Sequence, residues 1–192
     1  FITEFAIETQ SYKTPSDLTY KGLSVQDVVK INKENTVVDI YKLSPLQKGM
    51  YFLWLSNAST TLYFEQTSFT IMVNDLTLET IENAYQKLIN RHAVLRTSFS
   101  NDYAGEILQI VRTNVQGKFS SEKAPQNWTD SEVATYIKDI KLEDRKVGFN
   151  LEDASQIRLQ VLQLKTNVIH FIWSYHHIHM DAWSAKVLID EY

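Results

Sequence analysis

Residues 168–181 have the sequence Val-Ile-His-Phe-Ile-Trp-Ser-Tyr-His-His-Ile-His-Met-Asp, and this stretch decides the fold. Its first eight residues are mostly β-branched or aromatic, which predicts a strand over 168–175. A second apolar run, which predicts a strand over 156–164, precedes it, and Lys165-Thr166-Asn167 separates the two. We therefore predict a β-hairpin whose second strand leads into a pair of histidines.

Further elements are predicted on the N-terminal side of this hairpin and after it. We predict strands over 63–73, 94–99 and 106–111, and helices over 23–31, 45–55, 77–90, 130–140 and 183–192. Ser24 and Ser44 are N-cap candidates, and Pro45 suits the first helical position. Gly49 lies inside the second helix, where a glycine permits close packing of another backbone or a ligand. The sum is a mixed α/β (α+β) fold, with mostly antiparallel strands and helices packed against the sheet.

Residues 1–36 differ in character from the rest of the chain. They are polar and contain the turn-forming cluster Thr14-Pro15-Ser16-Asp17, so we interpret them as an interdomain linker. Their one predicted helix has Val25, Val28 and Val29 as its apolar positions. The chain opens without a Met or a signal-peptide pattern, which favours a segment of a longer polypeptide.

Composition excludes several classes of function. The net charge of −4 gives no basic surface for nucleic acid, and the apolar stretches are only strand-length, so no membrane span is expected. The chain has no cysteine, which excludes disulfides and thiolate chemistry and is compatible with a reducing cytosol. We expect a cytoplasmic location.

Histidines are concentrated where the predicted hairpin ends. Four of the five histidines lie between His170 and His179, and a strand end can hold a catalytic group rigidly yet accessibly. Consecutive strand residues point to opposite faces, so one of His176 and His177 should face the chemistry while the other packs behind it. Asp181 lies close enough to influence the loop electrostatically.

Three other interpretations of this cluster compete with a catalytic one. A strand-end His pair is often structural, and an Asp such as Asp181 is often a helix cap or an ion-pair partner. Zinc ligation by His176, His177, His179 and Asp181 lacks a supporting metalloprotease motif, so no metal is expected. A serine triad through Ser184 lacks the strand–turn–helix setting of a nucleophilic serine.

Four stretches, in order, resemble the condensation domains of nonribosomal peptide synthetases. Residues 176–184 are similar to the His-His-x-x-x-Asp-Gly signature, and residues 91–99 to the Arg-His-x-x-Leu-Arg-Thr-x-Phe motif. Residues 43–50 resemble the opening helix motif of the family, and Phe149-Asn150-Leu151 resembles the Phe-Asp-Leu before its central hairpin. The ordered set makes a chance resemblance improbable.

The resemblance implies an architecture and a reaction. The family has two lobes similar to chloramphenicol acetyltransferase, with the active site in a tunnel between them, and residues 37–192 would form the N-terminal lobe. The amine of an acceptor aminoacyl thioester attacks a donor thioester, and both substrates arrive on the phosphopantetheine arms of carrier domains. No cofactor is bound directly. Adenylation domains are implied neighbours, an epimerisation domain is a further candidate, and the isolated lobe is expected to be inactive.

The resemblance also assigns residues. His177, the second His of the signature, would be the catalytic residue, as a general base or by positioning the amine and stabilising the tetrahedral species. His176, Asp181 and Arg96 would support the site, with Arg96 on a strand and paired to Asp181. Candidate tunnel or packing residues are Gly49, Trp183 and Ser184. Ala182 replaces the signature Gly, which matters if that position needs a positive φ or a close approach to a pantetheine arm.

The subtype rests on smaller features. Ala182-Trp183-Ser184-Ala185 departs from the Val-Ser-Trp-Arg pattern of the related epimerisation domains, which favours condensation. Ser44-Pro45 and Gly49-Met50 look more like domains that accept a D-configured donor. A catalytically silent docking module is the alternative from another class.

Overall fold

Two β-sheets carry the fold in the computed structural model, which describes residues 13–57 and 61–192. The helices of this part are α1 (Val25–Ile31), α2 (Pro45–Ser56), α3 (Leu78–Arg91), α4 (Asp130–Val147) and α5 (Ala182–Glu191). The strands are β1 (Val37–Lys42), β2 (Phe64–Met72), β3 (Thr97–Tyr103), β4 (Glu106–Arg112), β5 (Lys118–Lys123), β6 (Ile157–Lys165) and β7 (Val168–His176). Short 3-10 helices lie at Pro15–Asp17 and Ala93–Arg96.

The larger sheet has the strand order β2-β7-β6-β5. Strands β6 and β7 pair antiparallel, which confirms the predicted hairpin. Every residue of β7 after Val168 is buried, because β7 lies between two strands and is covered on both faces. β7 therefore anchors the site that follows it to the middle of the sheet.

Strand β5 was not predicted from the sequence. It pairs parallel to β6, and α4 forms the crossover connection that a parallel pair requires. Its sequence, Lys-Phe-Ser-Ser-Glu-Lys, is polar and largely exposed, since β5 lies at an edge of the sheet. The hydrophobic pattern that identifies a strand is therefore missing. The other four strand pairings are antiparallel, as expected.

The smaller sheet has the order β1-β4-β3. The strand predicted over 94–99 is wrong in its first part, because Ala93–Arg96 is a 3-10 helix and β3 begins at Thr97. Local bonds favour this turn: Leu95 N–H donates to the His92 carbonyl at 3.0 Å, and Thr97 Oγ1 donates to the Ala93 carbonyl at 2.9 Å. Arg96 consequently lies at the end of a turn rather than on a strand.

Helix starts follow the sequence closely. Ser44 Oγ accepts from Gln47 N–H at 3.2 Å, and Ser44 N–H donates to Gln47 Oε1 at 3.0 Å, which forms a capping box at α2. Helix α4 extends seven residues beyond its predicted end at Ile140 and stops at Gly148, whose φ of 61° is in the left-handed region.

The segment before β1 packs on the smaller sheet. Its buried residues, together with those of the sheet, are Leu18, Leu23, Val28, Ile31, Val37, Ile40, Leu108 and Ile110. Val25 and Val29 were expected on the apolar face of α1 but are 60% and 59% exposed, because Val28 and Ile31 form that face. The first twelve residues of the predicted linker lie outside the described residues. In the ranges 13–57 and 61–192, none of the helices combines the length and apolar character that crossing a membrane requires.

Candidate active site

The candidate site is the loop from His177 to Asp181, between β7 and α5. His176 closes β7, and its N–H donates to the Gln156 carbonyl at 3.2 Å. His177 N–H donates to the Tyr63 carbonyl at 2.8 Å. Tyr63 has a φ of 62°, a sparsely populated conformation for a non-glycine residue, and such strain is common at functional sites. Neighbours on both sides of β7 thus fix the backbone where the histidines begin.

The ring of His176 is part of the core. The side chain is 3% exposed, Nδ1 accepts from Ile178 N–H at 3.1 Å, and the ring lies 6.1 Å from Tyr63 and 6.4 Å from Phe149, centroid to centroid. Burial lowers the pKa of His176 to about 4, and the neighbouring His177 adds to the shift. His176 is therefore neutral near pH 7 and shapes the loop through its Nδ1.

His177 has a different environment. Its side chain is half-buried, and Nδ1 is buried without a hydrogen-bond partner. None of the hydrogen bonds within residues 13–57 and 61–192 involves the His177 ring. The ring is thus not used to hold the fold, unlike that of His176, and the two point to different surroundings as strand alternation requires.

His179 is turned back into the protein. Its Nδ1 lies 2.7 Å from the Val94 carbonyl, so Nδ1 carries the proton, and its ring meets Phe99 edge-on at 5.1 Å. Burial lowers the pKa of His179 to about 3, against the opposing effect of the Val94 hydrogen bond. Among the described residues no group of three or more His, Cys, Asp or Glu side chains is arranged to hold a metal ion.

Asp181 caps α5. Its Oδ1 accepts from Ser184 N–H at 2.8 Å, and this bond lowers the pKa of the Asp181 carboxyl. The Asp181 side chain is exposed. It therefore has the helix-cap geometry that competes with a role in catalysis.

The expected ion pair between Arg96 and Asp181 is wrong. The Arg96 guanidinium donates instead to the Ile89 carbonyl at 3.1 Å and to the Arg112 carbonyl. The 3-10 turn directs Arg96 toward the end of α3 and toward β4, away from α5. Arg91, the other arginine of that motif, pairs with Glu191 at 2.7 Å.

The remaining predicted residues lie on α5 and α2. Ala182 is the first residue of α5 and is not among the residues with positive φ, so alanine introduces no backbone strain there. Trp183 is 77% exposed, and Ser184 contributes the N–H that Asp181 caps. Gly49 is exposed, and a Cβ added to it would meet no atom within 4 Å. Residues of the described chain thus leave open space beside Gly49.

Sequence reasoning missed a buried polar network behind the site. Asp144 of α4 pairs with Arg158 of β6 at 2.7 Å and also accepts from Gln66 Nε2 at 2.9 Å and from the Ser174 hydroxyl. The Arg158 guanidinium stacks over the Phe149 ring at 4.1 Å, and Phe149 in turn contacts His176. No local pattern joins residues so far apart in the chain, so only the fold reveals this support.

A family model described as "Condensation domain" matches residues 37–192, which is most of the chain. The chain belongs to the condensation domain family. The linear gramicidin synthase of Brevibacillus parabrevis includes a protein that is 31% identical over 182 residues, covering 93% of this chain and 4% of the relative. Bacitracin synthase 3 of Bacillus licheniformis is 28% identical over 188 residues, covering 96% of this chain and 3% of the relative. This condensation chain thus spans only a small share of the length of the synthases it matches.

Solved structures show the same fold. A holo four-domain nonribosomal peptide synthetase bound to AMP and glycine matches with a TM-score of 0.69 and 20% identity, over 81% of this chain and 11% of that one. The starter condensation domain of rhizomide synthetase matches with a TM-score of 0.68 and 17% identity, over 79% of this chain and 37% of that one. The predicted family and the chloramphenicol acetyltransferase-like α/β fold are confirmed.

Proposed function

We propose that this condensation chain supplies the His177-bearing N-terminal lobe of a cytoplasmic enzyme that joins a donor acyl thioester to an acceptor aminoacyl thioester through an amide bond. The observation that carries the proposal is the environment of His177. Its ring stands at the end of the central strand, half-exposed, with no structural hydrogen bond to the described residues. A side chain held in this way is available to a substrate.

Two roles for His177 are compatible with this geometry. A neutral imidazole can accept the proton of the attacking amine as a general base. It can also orient the amine and stabilise the tetrahedral species through a hydrogen bond. His176 and His179 are poor candidates for either role, because both are kept neutral by burial and their Nδ1 atoms already have protein partners.

The substrates are proposed to arrive on phosphopantetheine arms of two carrier domains, with no cofactor bound directly to this lobe. An adenylation domain is a proposed neighbour, and an epimerisation domain is a further one if the donor is D-configured. The resemblance of the opening motif over residues 43–50 supports the D-donor subtype. The exposed Gly49, on the helix that begins with this motif, supports a contact with a part of the enzyme outside the chain.

Ala182 bears on whether the site works. The loss of the signature Gly mildly favours a silent docking module, because a required positive φ would strain alanine. Ala182 instead takes the first helical position of α5, where alanine is the best helix former. This removes the backbone-strain argument for a silent module and supports an active domain.

The experiment uses the two-lobed domain that contains this chain, with carrier-loaded donor and acceptor. The unaltered enzyme is expected to form the amide, and His177→Ala to slow it on the order of 10²–10⁴-fold, the usual contribution of general acid–base catalysis. Ala182→Gly should leave the rate close to that of the unaltered enzyme, and the 192-residue chain alone should give no product.

Three outcomes would contradict the proposal. Equal product formation without His177 would remove its catalytic role. No product from the unaltered enzyme, with product from Ala182→Gly, would favour the silent module. Inversion of the donor centre without amide formation would favour an epimerisation domain.

A further inference from the structure

Gln47, in the first turn of α2, reaches the loop that carries His177. Its Nε2 donates to the Ile178 carbonyl at 3.0 Å and to Gln109 Oε1 at 3.3 Å. Its Oε1 accepts from Ser44 N–H at 3.0 Å and from Gln109 Nε2 at 3.2 Å. The side chain thus joins the start of α2, strand β4 and the loop after β7.

We propose that Gln47 is a positioning residue, which sets the ring of His177 by holding the next peptide group in the chain. The inference rests on the proposed function, because it takes His177 as the residue that meets the substrate. Gln47 itself does not touch the reacting atoms.

The orientation of the Gln47 amide is determined by its partners. Ser44 N–H can only donate, so the atom that faces it must be Oε1, and Nε2 must face the Ile178 carbonyl. The reciprocal pair with Gln109 is consistent only with the same orientation. Both lone-pair sites and both N–H groups of the Gln47 amide are therefore used, and none is left to rotate toward solvent.

The position of Ile178 explains why this contact matters. Ile178 is 2% exposed, it packs with α2 in one apolar cluster, and its N–H donates to His176 Nδ1. The His177 ring has no hydrogen bond of its own within the described chain, so its place depends on the backbone on each side. Tyr63 holds the His177 N–H on one side, and Gln47 holds the Ile178 carbonyl on the other.

The obvious alternative is that Gln47 only caps α2. The two tasks use different atoms: Oε1 completes the capping box, whereas Nε2 holds the loop. Gln47→Glu separates them. Glutamate is a normal capping-box residue at this position, so the helix start is kept, but it has no N–H to offer the Ile178 carbonyl.

Gln86 of α3 provides a matched control. Its Nε2 donates to the Val115 carbonyl at 2.9 Å and its Oε1 accepts from Gly117 N–H at 2.9 Å, so it also joins two backbone segments. Its hydrogen-bond partners among the described residues lie outside the His177 loop. Gln86→Glu therefore makes the same chemical change at a comparable bridge away from the site.

The test measures product formation by the two-lobed domain at saturating and limiting carrier-loaded acceptor. Gln47→Glu is expected to lower kcat by roughly 10–100-fold, the scale on which a misplacement of about 1 Å lowers rates, with KM and the unfolding midpoint nearly unchanged. Gln86→Glu should keep kcat. In a His177→Ala background, Gln47→Glu should add little further loss, because it acts through His177.

A readout independent of activity separates this inference from the proposed function. Amide hydrogen exchange of residues 177–180 should be faster in Gln47→Glu and unaltered in Gln86→Glu. Unchanged exchange in this loop, or equal kcat losses with and without His177, would overturn the positioning role. If Gln47→Glu does not fold, Gln109→Leu, which removes the partner of the amide, must show a smaller change of the same kind, and its failure to do so would also overturn it. Faster exchange with no dependence of turnover on His177 would leave the positioning contact and reject the catalytic assignment.

Discussion

Three histidines within four residues have three different environments. The His176 ring accepts a hydrogen bond inside the core, the His179 ring donates to the Val94 carbonyl, and the His177 ring has no hydrogen bond within the part of the chain described. Burial of the first and last keeps them neutral, with the pKa lowered to about 4 for His176 and about 3 for His179. Only the middle ring is left for a substrate.

These lowered pKa values predict a pH dependence of stability. The unfolded chain binds protons at these histidines below about pH 6.5, whereas the folded chain does not until near pH 4, so stability is complete above 6.5 and falls as the pH decreases. Each histidine should contribute about 1.4 kcal/mol per pH unit in the lower part of the window from 6.5 to 5. Urea denaturation at several pH values measures this slope. His176→Asn, whose Oδ1 can replace Nδ1 as the acceptor, should make the slope shallower, and an identical slope would contradict the assignment.

At this scale the sequence predicted which residues face apart but not which residues pair. Strand alternation was sufficient to separate His176 from His177, since it depends only on β7 being a strand. The partner of Arg96 depended on a four-residue turn that propensity does not identify, and the pair with Asp181 was therefore wrong. Gln47 was within a recognised motif, yet its contact with Ile178 spans 131 positions of the chain and has no local signal.

At the scale of elements, α2 shows how a sequence-defined helix presents an unexplained residue. Its capping box and Pro45 determine where it begins, and Met50, Tyr51 and Trp54 form its buried face. Gly49 lies on the opposite, exposed side, where glycine costs conformational entropy without an evident packing reason in the described chain. The two strands that the sequence missed, β1 and β5, are short edge strands at which burial alternates weakly or not at all.

Gly49→Ala is expected to stabilise the protein. Nothing lies within 4 Å of the added Cβ, so the gain should approach about 0.5–1 kcal/mol, the difference in helix propensity. Urea denaturation with an unchanged m-value measures it. Gly117→Ala is the contrasting variant, since its Cβ would lie 2.6 Å from the buried Tyr85 ring and should destabilise by about 1–3 kcal/mol. A loss of stability in Gly49→Ala would show that the space is not open, whereas lost turnover with gained stability would show that another part of the enzyme enters it.

At the scale of the whole molecule, the segment before β1 is more than a connection. The family match begins at residue 37, which is also where we predicted the lobe to begin. Yet Tyr20 N–H donates to the Ile40 carbonyl at 2.8 Å, and Thr19 holds Asp39 through both its N–H and its hydroxyl, at 2.7 and 2.6 Å. The polar composition of residues 1–36 suggested a linker because their few apolar side chains are widely spaced, and only the fold shows that they converge on one sheet.

We expect that a protein beginning at residue 37 will be much less stable than one beginning at residue 13. The shorter form loses Leu18, Leu23, Val28 and Ile31, each at most 5% exposed, and uncovers Ile40 and Leu108, which are fully buried. Each such side chain contributes about 1.5–3 kcal/mol by burial, so the sum is comparable with the whole stability of a domain, about 5–15 kcal/mol.

Substitutions on α1 test the same point without shortening the chain. Val28→Ser with Ile31→Ser should lower the urea midpoint strongly, whereas Val25→Ser with Val29→Ser, on the exposed side of the same helix, should change it little. The two double variants have similar composition and helix propensity, so any difference between them reports burial against β1 and β4. Equal midpoints, together with an undiminished midpoint for the form beginning at 37, would show that the segment is a linker after all. A large difference would extend the structural domain at least to Leu18, ahead of the boundary that the family pattern marks.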